Sequence, residues 1–395
     1  MDNKKLSQIL NNLVIFRNLR SQPLISSLAA LLNASNADES GTLFLDVAAA
    51  LYPYGSNIKE AVLNLILRDD NIIVDLYSKD KKPDSNIESW LTKELDALEA
   101  AAKSSAELAN TLGIDSSIIP SWNSTDISYR DKYAEMLNNA HTDGFGIFSQ
   151  FSVFSVSDKG ELTTIDNPDP QNIDTLYCYE IEKNKVIKNT EALLAGKSAN
   201  NILLYGDAGT GKSSLVKAMV NKYHKNGLRL IQVDKDKLHY IPALMDKLSD
   251  NPLKFVLFID DLSFTTNDSN FTALKTILEG SVSARPENIV VYATSNRRHL
   301  VKESFQAREG DEVHLNDTLE EVASLSARFG IVITFGRPDK DKYVYIVKQL
   351  AESYGYKYQD EQSLINSAEA YAIRAGGRTP RVAKQFIEYT IAMDL

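Results

Sequence analysis

The sequence predicts an α/β protein: a parallel five-stranded sheet covered by helices, followed by a small helical domain and preceded by a mainly helical N-terminal region. Short branched or aromatic runs recur at 201–205, 228–233, 255–259, 289–294 and 331–335, separated by helix-length segments. These runs are almost continuously apolar rather than alternating, which is the pattern of strands buried on both faces. From about residue 338 the runs stop and helical periodicity continues, in "DKDKYVYIVKQLAESYG" and "TPRVAKQFIEYTIAM".

Residues 3–34 read as helical, with Leu6, Ile9, Leu10 and Leu13 at helical spacing. Further helices are expected at 57–68 and 86–112, the second with Asp84 and Ser85 as possible caps and Gly113 as its stop. The polar stretch "KDKKPDSN", 79–86, separates them. In "GFGIFSQFSVFSVSDKGELTTI", 144–165, aromatic or branched residues alternate with small polar ones around the turn "SDKGE", the signature of a hairpin. "DNPDPQN", 166–172, carries two prolines among Asp and Asn and is the best linker candidate. The expected organisation is therefore an N-terminal region at 1–165, a linker at 166–172, an α/β domain at 173–337 and a small helical domain at 338–395.

Composition is that of an ordinary globular chain, 43% hydrophobic and 24% charged. Residues 1–170 carry 14 Lys and Arg against 24 Asp and Glu, so the whole formal net charge of −10 lies there. Such a region repels phosphate and is a poor surface for nucleic acid or an anionic membrane. No apolar run of membrane-spanning length occurs, and the opening residues lack the features of a secretory signal. A cytoplasmic location without membrane contact is expected. The single cysteine, Cys178, excludes an intramolecular disulfide and is expected to be buried and inert; the five histidines have no metal-ligand spacing.

The first of the five apolar runs leads directly into "GDAGTGKSS", Gly206, Asp207, Ala208, Gly209, Thr210, Gly211, Lys212, Ser213 and Ser214, which fits G-x-x-x-x-G-K-[ST]. Its glycines let backbone N–H groups approach phosphate oxygens, and the following helix adds the positive end of its dipole. Lys212 is expected to reach the β- and γ-phosphates of ATP, and Ser213 to ligate Mg²⁺. "KFVLFIDD" ends a second buried run on two acids. Asp260, at the strand's C-terminal edge, is placed to hold the Mg²⁺ water shell, and Asp261 to polarise the attacking water.

Three further residues fit the same machinery. Asn296 ends "YATSN" and can hold the attacking water or sense the γ-phosphate. Arg328, in "SLSARFG", can stabilise charge developing on the transferred phosphoryl group. Arg381, in "GGRTPRVAKQF", follows a cap and first-turn pair, Thr379 and Pro380. Taken singly, each is more often a strand-end hydrogen bonder or a surface ion-pair former. Their order behind the phosphate loop outweighs that reading.

This order resembles the AAA+ superfamily of P-loop ATPases: Walker A at 206–213, Walker B at 255–261, sensor 1 at Asn296, an arginine finger at Arg328 and sensor 2 at Arg381. "ANNILLYGDAGTGKSSLVKA", "FIDDLSF", "LEGSVSARPEN", "YATSNRRHL" and "SLSARFG" resemble more closely one bacterial branch, domain of unknown function 815, over roughly 172–395. The segment at Arg381 is also similar to that of the bacterial Holliday-junction branch-migration motor, which favours Arg381 over Arg378 as sensor 2. The paired aspartates are similar to those of the bacterial replication initiator, which uses ATP more as a switch than as fuel. The resemblance implies ATP and ADP as ligands, a homo-oligomer, often of six subunits, in which Arg328 completes a neighbour's site, and a lid that swings with nucleotide state. Many AAA+ motors carry Asp-Glu where this chain has Asp260-Asp261, so slow turnover is expected. The client, protein or DNA, is not implied, and the basic run "NRRHL", 296–300, could contact DNA, a partner or a neighbouring subunit. A nucleotide kinase is disfavoured, because sensor, finger and lid segments would have no purpose in one.

Overall fold

The computed structural model describes residues 2–34, 37–79, 81–262, 274–275, 277–278, 286–296 and 327–393. The chain divides into two compact units, Met1–Gln150 and Phe151–Leu395.

The first unit is helical among its described residues. Its helices are α1 (Asn3–Asn11), α2 (Pro23–Asn33), α3 (Ala37–Leu51), α4 (Ile58–Arg68), α5 (Ile72–Ser78), α6 (Ser85–Ala101), α7 (Ser105–Leu112) and α8 (Tyr129–Asn138). The helical stretch expected at 3–34 is therefore two helices, the second opening with Pro23 in its first turn, where a missing N–H costs nothing. The stretch expected at 86–112 also divides. Asp84 caps α6 as read, but Ser104 and Glu107 form a capping box that starts α7, which stops at Gly113 in the left-handed region, φ 69°.

The segment between α1 and α2 is held by one buried carboxylate. Glu94, only 1% exposed, accepts the backbone N–H groups of Val14, Ile15 and Phe16 and the indole N–H of Trp90. Around it, Leu6, Leu10, Phe16, Leu28, Val62, Leu98 and Tyr133 belong to one apolar core.

The second unit is built on a seven-stranded sheet in the order β2-β1-β4-β5-β6-β3-β7. Its strands are β1 (Val153–Val156), β2 (Leu162–Thr164), β3 (Ile202–Gly206), β4 (Leu228–Gln232), β5 (Lys254–Ile259), β6 (Ile289–Ser295) and β7 (Ile331–Phe335). All neighbours pair in parallel except β1 and β2, which form an antiparallel hairpin. The five strands read from apolar runs are β3 to β7. The expected count of five is corrected to seven because the hairpin joins the sheet, β1 lying against β4. Alternation marks an exposed edge but does not say which strand it will pair with.

Nor does 166–172 run free. Asn221 Nδ2 donates to the carbonyl oxygens of Asp169 and Gln171 at 3.2 and 2.7 Å, fastening this stretch to the helix after β3. The helices of this unit are α9 (Glu180–Leu194), α10 (Lys212–Tyr223), α11 (Ile241–Leu248) and a C-terminal trio, α12 (Lys340–Ser353), α13 (Glu361–Arg374) and α14 (Pro380–Met393). The trio has its own core, including Tyr343, Ile346, Leu364 and Phe386.

One topological fact positions the site. Strand β6 lies between β3, which feeds the glycine loop, and β5, which ends at the two acids; Ala293 pairs with Ile259 on one side and Ser295 with Tyr205 on the other. The end of β6 is thereby inserted between loop and acids at the C-terminal edge of the sheet, where open α/β sheets bind ligands.

Both tryptophans of the chain, Trp90 and Trp122, belong to the first unit, so tryptophan emission reports its unfolding alone. Replacing Glu94 by Ala orphans the buried N–H groups of Ile15 and Phe16 and removes the partner of the Val14 and Trp90 N–H groups, an expected cost of about 2–4 kcal/mol. A urea titration followed by that emission should show an earlier midpoint. An unchanged midpoint would contradict the anchoring role of Glu94.

Candidate functional site

Local sterics force the loop between β3 and α10. Gly206 has φ 136°, and a Cβ there would stand 2.1 Å from the Phe335 carbonyl oxygen. That same oxygen accepts the Asp207 N–H at 3.1 Å, pinning the loop to β7. Gly209, φ 78°, faces the lid so closely that a Cβ would meet Thr379 Oγ1 at 3.1 Å and Arg381 Cβ at 3.2 Å. Gly211, φ 94°, turns the chain into α10, whose unpaired N–H groups open onto the loop.

Lys212 is 5% exposed, and its ammonium donates to the carbonyl oxygens of Gly206 and Asp207 and to Asn296 Oδ1 at 3.1, 2.7 and 2.9 Å. Burial pushes its pKa below the ordinary lysine value, against the opposing pull of Asp207, Asp261 and Asp260. A buried ammonium held down in this way gains strongly from any anion brought beside it.

The acids are organised around Asp260 Oδ1. It accepts Ser213 Oγ at 2.6 Å, Thr294 Oγ1 at 2.6 Å and the Asp261 N–H at 3.1 Å. Asp261 has φ 51°, an uncommon conformation for a residue with a Cβ, and its N–H also donates to Thr294 Oγ1 at 2.9 Å. Its carboxylate accepts Asn296 Nδ2 at 2.7 Å. Asn296 thus joins Lys212 to Asp261, accepting from one and donating to the other. Sequence reasoning did not single out Thr294; its signal is a hydroxyl, 2% exposed, next to the equally buried Ser295 at the end of a strand that begins with apolar side chains.

The loop opens into a cavity of about 660 Å³. Its polar lining comes from the loop with Asp260, Asp261, Asn296 and Arg381, and its apolar lining, here called the apolar end, includes Leu176, Tyr177, Tyr179, Ile346, Leu350 and Tyr354. Arg381 is exposed on the cavity wall, and its backbone N–H donates to the Gly209 carbonyl at 3.2 Å. Arg378 is instead engaged by Glu369, at 2.9 Å through Nε. Arg328 is half-buried ahead of β7 and does not line the cavity. Residues 297–300, with most of "LEGSVSARPEN", lie outside the described residues.

The apolar end was not legible in the sequence. Cys178 and Tyr179 are both left-handed, φ 68° and 60°, and the turn is held by Tyr179 Oη on the Gly336 carbonyl at 2.7 Å and by the Tyr179 ring against Phe335 at 5.1 Å. The expectation of a buried Cys178 is corrected: the thiol is half-buried and lines the cavity. Partial burial pushes its pKa up, so it stays a thiol near neutrality.

The cavity fits a nucleoside triphosphate with Mg²⁺. Gly206, Gly209 and Gly211 all have positive φ, a backbone that glycine adopts without strain and that leaves the loop N–H groups open to close approach by phosphate. Ser213 and Asp260 offer the hard oxygen donors that Mg²⁺ takes alongside phosphate and water. The apolar end has the aliphatic and aromatic lining that a base requires.

A family model described as protein of unknown function (DUF815) matches residues 149–393. The chain belongs to this family. The DUF815 match opens beside the division between the two compact units and spans hairpin, sheet and lid. No curated protein matches the chain. Among solved structures, the Holliday junction branch migration motor RuvB of Thermotoga maritima is similar at 17% identity over 55% of this chain and 63% of that one, TM-score 0.38. The Escherichia coli MS115-1 HORMA:CdnC:Trip13 complex contains a chain similar at 13% identity over 56% of this chain and 93% of that one, also with TM-score 0.38. This chain spans less than two thirds of the RuvB length that it matches.

The lone cysteine makes the cavity testable without mutation. Alkylation of Cys178 by a maleimide should be slow at neutral pH, quicken as pH rises, and be slowed by Mg-ATP. Labelling at the same rate with and without nucleotide would contradict occupancy of this cavity.

Proposed function

We propose that this DUF815 protein binds ATP with Mg²⁺ in the cavity between loop and lid and hydrolyses it slowly, the nucleotide cycle driving remodelling or loading of a protein or nucleic-acid client. The observation carrying this reading is the hydrogen-bonded chain Lys212–Asn296–Asp261 alongside Ser213–Asp260–Thr294, which joins the first turn of α10 to the ends of β5 and β6 beside one cavity. Lys212 exchanges its bond to Asn296 for β- and γ-phosphate oxygens. Ser213 Oγ and the Asp260 carboxylate would hold Mg²⁺. The metal, when bound, neutralises charge on the phosphate oxygens. The loop N–H groups from Gly206 to Ser214 and the first turn of α10 cradle the phosphates, and the apolar end takes the base.

In the reaction, a water oxygen attacks the γ-phosphorus, the bond to the bridging oxygen breaks, and ADP leaves with phosphate. Asp261 accepts the proton that the water loses, and Asn296 orients the water. Arg381, reaching from the first turn of α14, contacts the γ-phosphate and carries the lid with it. Arg328, outside this chain's own cavity, completes the site of a neighbouring subunit in a homo-oligomer, in keeping with a finger that acts in trans.

Two features of Asp261 support slow turnover. Its carboxylate is short, and it is already engaged by Asn296. The second feature also favours an alternative reading, a nucleotide-gated switch or scaffold in which hydrolysis is incidental. In either reading the acidic Met1–Gln150 unit is the natural recruiter of a client, and its charge suits a protein better than a nucleic acid.

Binding of a fluorescent ATP analogue should fall at least about a hundredfold in Lys212→Ala, while Asp261→Asn keeps binding and loses about a hundredfold in turnover. Unchanged binding in Lys212→Ala would remove the site; unchanged turnover in Asp261→Asn would leave the switch. Arg328→Ala should also bind without turning over, and mixing it with Asp261→Asn should restore some activity.

A further inference from the structure

Asp207 is the only acid within Gly206–Ser214, a loop otherwise suited to binding an anion. Its carboxylate does not line the cavity, and Arg337 Nε donates to its Oδ1 at 3.1 Å. Arg337 follows β7 at the entry to the lid. The far side of the same guanidinium lies on the turn between α13 and α14. Its Nη1 is 3.5 Å from the Gly376 carbonyl, and a Cβ on Gly377 would stand 2.9 Å from that nitrogen. Gly376 and Gly377 have φ 84° and 135°, so the turn that admits the guanidinium needs glycine at both positions. One side chain therefore touches the phosphate loop and the lid from the hinge that joins them.

We propose that Arg337 is a positioning residue for nucleotide binding: it neutralises the one carboxylate of the phosphate loop and latches that loop to the lid through the Gly376–Gly377 turn. This rests on the nucleotide reading above.

The electrostatic part follows from placement. A triphosphate brings several negative charges beside the loop, and an uncompensated Asp207 would repel them across a partly exposed gap. The pair is itself half-exposed, 57% and 43%, so it contributes little to stability. Its effect appears when the anion arrives. The mechanical part follows from the second lid contact, the Arg381 N–H on the Gly209 carbonyl at 3.2 Å. With Arg337 engaged, the first half of the loop is bound to the lid through Asp207 and Gly209, so a shift of the loop on nucleotide binding reaches the lid from two points.

The test is a cycle on the full-length chain, reading affinity for a fluorescent ATP analogue with Mg²⁺ at low and high salt. Arg337→Gln should weaken binding about fivefold at low salt and less at high salt, as an exposed uncompensated charge requires. Adding Asp207→Asn to it should restore affinity to within about twofold, and Arg337→Lys, which keeps the charge, should stay near the parent. Unchanged affinity in Arg337→Gln, no recovery in the double variant, or an Arg337→Lys as weak as Arg337→Gln would each overturn the proposal. Lys212→Ala run alongside separates the two ideas: if it binds normally the nucleotide site itself fails, whereas lost binding there with no coupling in the cycle removes the latch alone.

Discussion

A single carboxylate oxygen, Oδ1 of Asp260, ties together the segments from which the site is made. It takes the hydroxyl of Ser213 from the first turn of α10, the hydroxyl of Thr294 from β6 and the N–H of its own neighbour Asp261. Without it, the first turn of α10 and the end of β6 would present hydroxyls with no common acceptor, and Asp261 would lose one of the two bonds to its N–H. The strand order makes this meeting possible. Because β6 separates β3 from β5, residues at its end reach the loop on one side and the acids on the other.

The same region concentrates backbone strain. Asp261, Cys178 and Tyr179 are the non-glycine residues with positive φ among those described, and all three line the cavity. Strained conformations of this kind persist only where surrounding bonds over-determine them. Asp261 is held by Thr294 and Asp260, and Tyr179 by the Gly336 carbonyl and the Phe335 ring. Among the described residues, left-handed backbone at residues other than glycine falls only where a ligand would be held.

Much of this was legible in the sequence, and the rest was hidden for identifiable reasons. The five parallel strands announce themselves as apolar runs because both of their faces are covered. The meeting of the glycine loop, Lys212, Ser213, Asp260, Asp261 and Asn296 at one place could be read because fixed spacing and strand-end position mark them in the sequence. The membership of β1 and β2 in the sheet was hidden, since pairing of an edge hairpin depends on contacts distant in sequence. The apolar end of the cavity was hidden too. Leu176 and Tyr179 lie before α9 and Leu350 within α12, and ordinary apolar residues carry no motif that assigns them to one wall. Arg337 went unnoticed because its partners, Asp207 and the Gly376 carbonyl, are 130 and 39 residues away.

If Asp260 and Ser213 hold Mg²⁺ against a triphosphate, ATP affinity must depend on the metal, and that dependence must pass through Asp260. Calorimetric titration of the full-length chain with ATP, in Mg²⁺ and in EDTA, measures this directly. The expected result is binding at least about tenfold tighter with Mg²⁺, with the difference lost in Asp260→Asn. Equal affinity with and without the metal in the unaltered chain would contradict the account.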